Sequence, residues 1–147
     1  MATTEITFES DDRAQVRQAL VPAAVAAAAI GCTLSWLFAD SRAEAIGEVV
    51  LILLLTAVIF GVVVRRGLRH AAAGGRGIAM GVVGLLAVPV AFWSGLPVVL
   101  GTAATLLGYA GKRADHGSGK AIAAFVLGLL TLIGYVVVYV GDYVNTH

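Results

Sequence analysis

Charge is scarce in this chain and nearly absent from long stretches of it. Only 13% of its 147 residues are Asp, Glu, Lys or Arg, against 59% hydrophobic, and mean hydropathy is +0.92. An average soluble domain carries about 25% charged residues, so a water-soluble globule is excluded. The single cysteine, Cys32, rules out an intramolecular disulfide and reads as a small packing residue inside a helix. The three histidines, His70, His116 and His147, have no Cys or carboxylate partner at ligand spacing, so no metal site is expected. No constellation of acid, base and nucleophile accompanies them, and neither catalytic nor cofactor-binding residues are assigned.

What is present is a set of five apolar runs, 20–38, 46–64, 78–93, 96–110 and 121–140, interrupted only by Glu48 near the start of the second. The first, second and fifth approach the ~20 residues that cross a ~30 Å hydrocarbon core. The third and fourth would reach only about 24 Å and about 22 Å at 1.5 Å per residue, so they lean on small flanking residues or a thinned bilayer. Ser94, Gly95 and Pro97 separate these two, which predicts a tight helical hairpin. A single helix over 78–110 would be about 50 Å long with Ser-Gly-Leu-Pro at its centre, and is rejected. The expected fold is therefore all-α: a polytopic membrane helix bundle of five transmembrane segments in one domain, 20–147, preceded by a polar tail, 1–19. Within that tail, Ser10 before Asp11 and Asp12 could start a helix that runs on into the membrane.

Basic residues fix the orientation. Nine of the ten Lys and Arg fall in alternate gaps: Arg13 and Arg17, then Arg65, Arg66, Arg69 and Arg76, then Lys112, Arg113 and Lys120. Positive residues favour the cytoplasmic side, which places the N-terminus in the cytoplasm and the C-terminus outside, with Arg42 alone on the outer side. Trp36, Trp93, Tyr139 and Tyr143 fall near the outer ends and Tyr109 near an inner one, as headgroup-level aromatics do. Tyr135, Tyr139 and Tyr143 also form a helical stripe that reads as interface anchoring and packing. Arg65, Arg66, Arg69, Lys112 and Arg113 are candidates for contact with anionic lipid, each worth about 1 kcal/mol near a charged leaflet.

Three local patterns suggest chemistry and yield to simpler readings. Ala29-Ile30-Gly31-Cys32 is similar to a lipoprotein cleavage box, but Ala29 replaces the usual larger aliphatic and apolar residues continue to Phe38, so a retained helix is expected. Gly117-Ser118-Gly119-Lys120 has the tail of a phosphate loop, yet Ala114 stands where the first Gly belongs and Ala121 where a hydroxyl would hold magnesium. It reads as a loop with Ser118 as a helix cap, and Gly74-Gly75-Arg76-Gly77 as a flexible turn. Glu44 and Glu48 could attract a cation, but Ser41 with Glu44 has the spacing of a capping box.

Inside the membrane the informative residues are small. Ala23, Ala27 and Gly31 are spaced by four, as are Gly77 and Gly81, and Ala124 and Gly128. In lipid such seams supply close backbone contacts, within this chain or with partners. The hydroxyls of Thr56, Thr102, Thr105 and Thr131 are expected to bond back to helix carbonyls. A shift of 44 positions aligns Gly75-Arg76-Gly77-Ile78-Ala79 with Gly119-Lys120-Ala121-Ile122-Ala123, which suggests a parallel repeat with the fourth segment as the return stroke.

The same region resembles the bacterial domain-of-unknown-function 4190 family of small membrane proteins. The resemblance rests on Gly119, Ala121, Ile122, Ala123, Leu127 and Gly128, together with Leu96, Pro97, Leu100, Gly101, Leu107, Gly108, Tyr109 and Ala110, and covers roughly residues 75–141. It implies a helical architecture and a bacterial cytoplasmic membrane, and brings no functional residue with it. The expected role is that of a non-enzymatic accessory or scaffold component acting through helix packing. A small oligomeric permeation or transport protein is the alternative. The expected partners are the lipid bilayer and other membrane proteins or further copies of the chain, not nucleic acid, and no cofactor is expected.

Overall fold

The computed structural model describes residues 2–68, 73–91, 94–114 and 119–146. Arg69, His70, Trp93, His116, Ser118 and His147 lie outside these residues, as do the side chains of Arg13, Arg113 and Tyr143. Five helices account for the described chain: α1, Ala2–Phe38; α2, Arg42–Gly67; α3, Ala73–Ala91; α4, Leu96–Ala114; and α5, Gly119–Thr146. No strand occurs among the described residues. The expected segments 20–38, 46–64, 96–110 and 121–140 each sit inside one helix, as does the described part of 78–93, and three stretches, Arg17–Leu37, Arg42–Gly67 and Gly119–Asp142, are long and apolar enough to cross a membrane.

Several boundaries differ from the sequence expectation. α1 is helical from Ala2, so Ser10 lies within the helix and does not start it, and the polar tail continues the first segment without a break. Ala73–Gly77 is the first turn of α3, not a flexible turn. Helix also continues through Gly111 to Ala114, so α3 and α4 each have 19 residues, about 28 Å, and exceed the length of their apolar runs. Glycine breaks helices in water, but where a neighbouring helix fills the space above it the close packing offsets that cost.

Between Ala91 and Leu96 the chain reverses, so no continuous helix runs from 78 to 110. Gly95 takes φ +63°, a left-handed conformation that suits glycine. The Ser94 hydroxyl donates to the Ala91 carbonyl at 2.7 Å and accepts from the Leu96 N–H at 3.4 Å, while the Val98 N–H donates to the Gly95 carbonyl at 3.2 Å. Pro97, lacking an N–H, fits the first turn of α4. At the start of α2, Ser41 accepts from the Glu44 N–H at 3.2 Å, the cap that their spacing suggests.

α4 is the hub. It packs against α3 and α5, which also pack on each other, and on its other side against α1 and the second half of α2. Residues 74, 77 and 84 of α3 face 121, 124 and 131 of α5, so these helices run parallel at an offset of 47. Gly101 and Gly108 of α4 face Leu132 and Phe125, so α4 runs antiparallel between them. The expected parallel repeat thus has two physical neighbours as its halves, with sequence-matched residues out of level by about one turn.

The second half of α2 becomes a π-helix over Ile59–Val64 before a last α turn, Arg65–Gly67. Ile59 and Val64 are five residues apart and both buried; i→i+5 bonding brings them to one face, which an α-helix would not do. With Ile52 and Phe60 they form the α2 side of a core completed by Ala27, Val88, Val98, Val99, Leu107 and Tyr135.

Candidate functional site

The most elaborated feature of the molecule is the junction of α3, α4 and α5, which is built almost entirely from small residues. On α5, Ala121, Ala124, Gly128, Thr131 and Tyr135 are buried at alternating spacings of three and four, and on α3 the same rhythm gives Gly74, Gly77, Gly81, Gly84 and Val88. Such spacing keeps one helix face turned towards its neighbour. A β-carbon added to Gly77 would fall 2.7 Å from that of Ala124, and one added to Gly81 would fall 2.6 Å from that of Leu127. One on Gly128 would collide with Thr105 and come within 2.8 Å of the Gly101 carbonyl. Glycine here sets the distance between helix axes.

Gly77, Gly81, Ala124 and Gly128 therefore meet neighbours within the chain. Ala27 and Gly31 do likewise on the other side of α4: a β-carbon on Gly31 would lie 3.3 Å from Ile52 and 3.5 Å from the Gly95 carbonyl. Ala27 is buried in the core, whereas Ala23 is half-buried beside it. Spacing by four finds only part of each face. Gly74, Gly84, Gly101, Gly108, Gly111, Ala121 and Thr131 complete the seam, and the signal that could have found them is the alternation of three and four.

Polar groups inside the bundle are few and mostly satisfied locally. Thr102 donates to the Val98 carbonyl at 2.7 Å and Thr105 to that of Gly101 at 2.8 Å, as expected. Thr131 is fully buried and lies 2.8 Å from the Leu127 carbonyl and 3.2 Å from that of Gly81, so its hydroxyl also bridges α5 to α3. Thr56 departs from expectation. Its hydroxyl is buried without a partner, as are those of Ser35 and Tyr135. Tyr135 is a core residue, which fits the packing part of the expected stripe, with its ring 6.3 Å from that of the half-buried Tyr139. Cys32 is a free, half-buried thiol packed beside the core.

Outside the seam the helices turn apolar side chains outward. Leu54 on α2, Leu86 on α3 and Val137 on α5 are 61%, 67% and 63% exposed, the arrangement of lipid-facing surfaces. α4 differs, since Tyr109 is its one exposed large hydrophobic residue among those described.

Charge is confined to the two ends of the bundle. Arg65, Arg66, Lys112 and Lys120 are exposed at one end, together with the half-buried Arg76, while Asp40, Glu44, Glu48 and Asp142 lie at the other with Arg42 as the one basic residue among them. Arg65 and Arg66 occupy the last turn of α2, where cations complement the helix dipole. Among the described residues no group of three or more His, Cys, Asp or Glu could hold a metal ion. Comparison with protein-family models, curated proteins and solved structures finds no match.

Proposed function

We propose that this chain is a non-enzymatic integral membrane protein that acts by packing, as an accessory subunit or scaffold. The observation that carries this reading is the division of labour among its helices: α4 is enclosed, whereas α1, α2, α3 and α5 keep continuous apolar faces turned outward. A glycine-set unit of this kind is stiff, and stiffness suits a part that holds other parts in place.

In this reading the chain crosses a bacterial cytoplasmic membrane five times, with α3 and α4 completing the set. The N-terminus is cytoplasmic and the C-terminus outside, as the basic and acidic ends favour. Arg65, Arg66 and Lys112 lie at the headgroup level of the inner leaflet and interact with anionic lipid, the same role being proposed from the sequence for Arg69 and Arg113.

Gentle extraction from native membranes followed by native mass spectrometry tests the role. The expected result is a stable complex with another membrane protein. A discrete homo-oligomer would instead favour the permeation reading, since one copy offers little polar path of its own. A monomer carrying lipid alone would overturn both.

A further inference from the structure

Arg76 differs from every other described basic residue. Arg65, Arg66, Lys112 and Lys120 extend from the bundle, but Arg76 is half-buried, and its Nη1 is enclosed with no hydrogen-bond partner. Its stem is held where three helices meet: a β-carbon on Gly67, at the end of α2, would lie 3.9 Å from the Arg76 Cδ and 2.6 Å from the Leu107 Cδ2 of α4. The guanidinium cannot shed its proton to escape burial. A partly buried cation without a counter-charge is costly, and a chain that holds one usually completes it with an anion.

None of the carboxylates whose side chains are described can serve, because Asp40, Glu44, Glu48 and Asp142 lie at the opposite end of the bundle. The carbonyl end of α2 beside Arg76 offers only partial negative charge. Ile78, two residues on, begins the apolar run, so in the proposed five-crossing topology the guanidinium would sit where hydrocarbon gives way to headgroups. Gly111 packs on Gly74, with a β-carbon there 3.3 Å from the Gly74 nitrogen, which brings the exposed Lys112 close to the same turn.

We propose that Arg76 is the anchor of a phosphate site and that the phosphate is that of an anionic phospholipid headgroup. The planar guanidinium fork matches phosphate oxygens, its packed stem removes the rotamer freedom a surface arginine would lose on binding, and Lys112 adds positive potential. The inference requires a bilayer but not the scaffold role, so a failed search for protein partners leaves it intact.

The test uses the full chain in neutral detergent, with phosphatidylglycerol and phosphatidylcholine added separately and bound lipid read by native mass spectrometry. The expected result is one retained phosphatidylglycerol, weakened about tenfold or more in R76Q and by less than about threefold in the R65Q/R66Q double variant. Equal retention by R76Q and the parent chain, or equal retention of phosphatidylcholine, overturns the proposal. If R76Q does not fold, R76K keeps the charge without the fork, and an intermediate preference is expected; full retention in R76K overturns the fork. Inorganic phosphate that stabilises the parent chain but not R76Q, with no lipid preference, overturns the lipid as source. Asp115 lies outside the described residues, and a D115N variant that loses stability as R76Q does, irrespective of lipid, would make that carboxylate the counter-charge and end the proposal.

Discussion

A β-carbon on Gly108 would run into the backbone nitrogen of Phe125, with the Phe125 Cα at 2.7 Å and the Ala121 carbonyl at 2.9 Å. These are backbone atoms, so relief requires parting α4 from α5. Gly134, on the same α5 helix, has nothing within 4 Å of such a carbon. G108A should therefore lose about 3 kcal/mol, the upper part of the usual overpacking range, whereas G134A should be neutral or gain up to about 1 kcal/mol from lower chain entropy in the unfolded state. Thermal unfolding of the two variants in one detergent checks the contrast, and similar midpoints would refute the seam. At this scale the sequence was only half legible. Gly77, Gly81, Ala124 and Gly128 stood out because four-residue spacing is easy to see. Gly74 reads as loop because glycine clusters signal turns, and nothing in the one-dimensional pattern says that Ala121 will cover it. Thr56 was misjudged for a related reason, since local back-bonding is a propensity that packing can override.

Among the elements, α4 was recognisable as a helix but not as the hub. In water, the most apolar segment goes to the centre; in lipid, the outward faces are as apolar as the inward ones, so hydropathy does not rank helices by depth. Small residues rank them better, and Gly101, Ala103, Ala104, Gly108 and Gly111 crowd into this one helix. The π stretch of α2 was likewise invisible within a continuous apolar run. Because α1 and α2 join the remainder chiefly through α4, their docking should be separable from the α3–α5 unit. Gly31 touches both Ile52 and the Gly95 turn, so G31L should loosen the α1–α2 hairpin and leave α3–α5 intact. Hydrogen exchange should then rise in residues 20–67 and stay low in 77–107 and 121–135; uniform loss of protection would show that the bundle unfolds as one unit.

For the molecule as a whole, the ends carry opposite charge and the middle carries almost none. That polarity was the most legible property of all, because ionisable residues are costly anywhere but at the surface. It sets a topological expectation: in a C32S background, a cysteine replacing Asn145 should react with an impermeant maleimide added outside cells, and one replacing Gln15 should react only after permeabilisation. Both positions are exposed. Labelling of both from the same side would show an even number of crossings and refute the proposed five. The enclosure of α4 also bears on how the chain is made. Its inward face is the product of helices on either side of it in sequence, and α5, which covers Gly101 and Gly108, is synthesised after it. Until then α4, short in apolar length and ending in Lys112-Arg113, faces lipid with its glycines bare, and its place in the membrane is provisional. α5 thus does more than add a helix: its arrival covers the bare face of α4, so this seam closes only after α5 has left the ribosome.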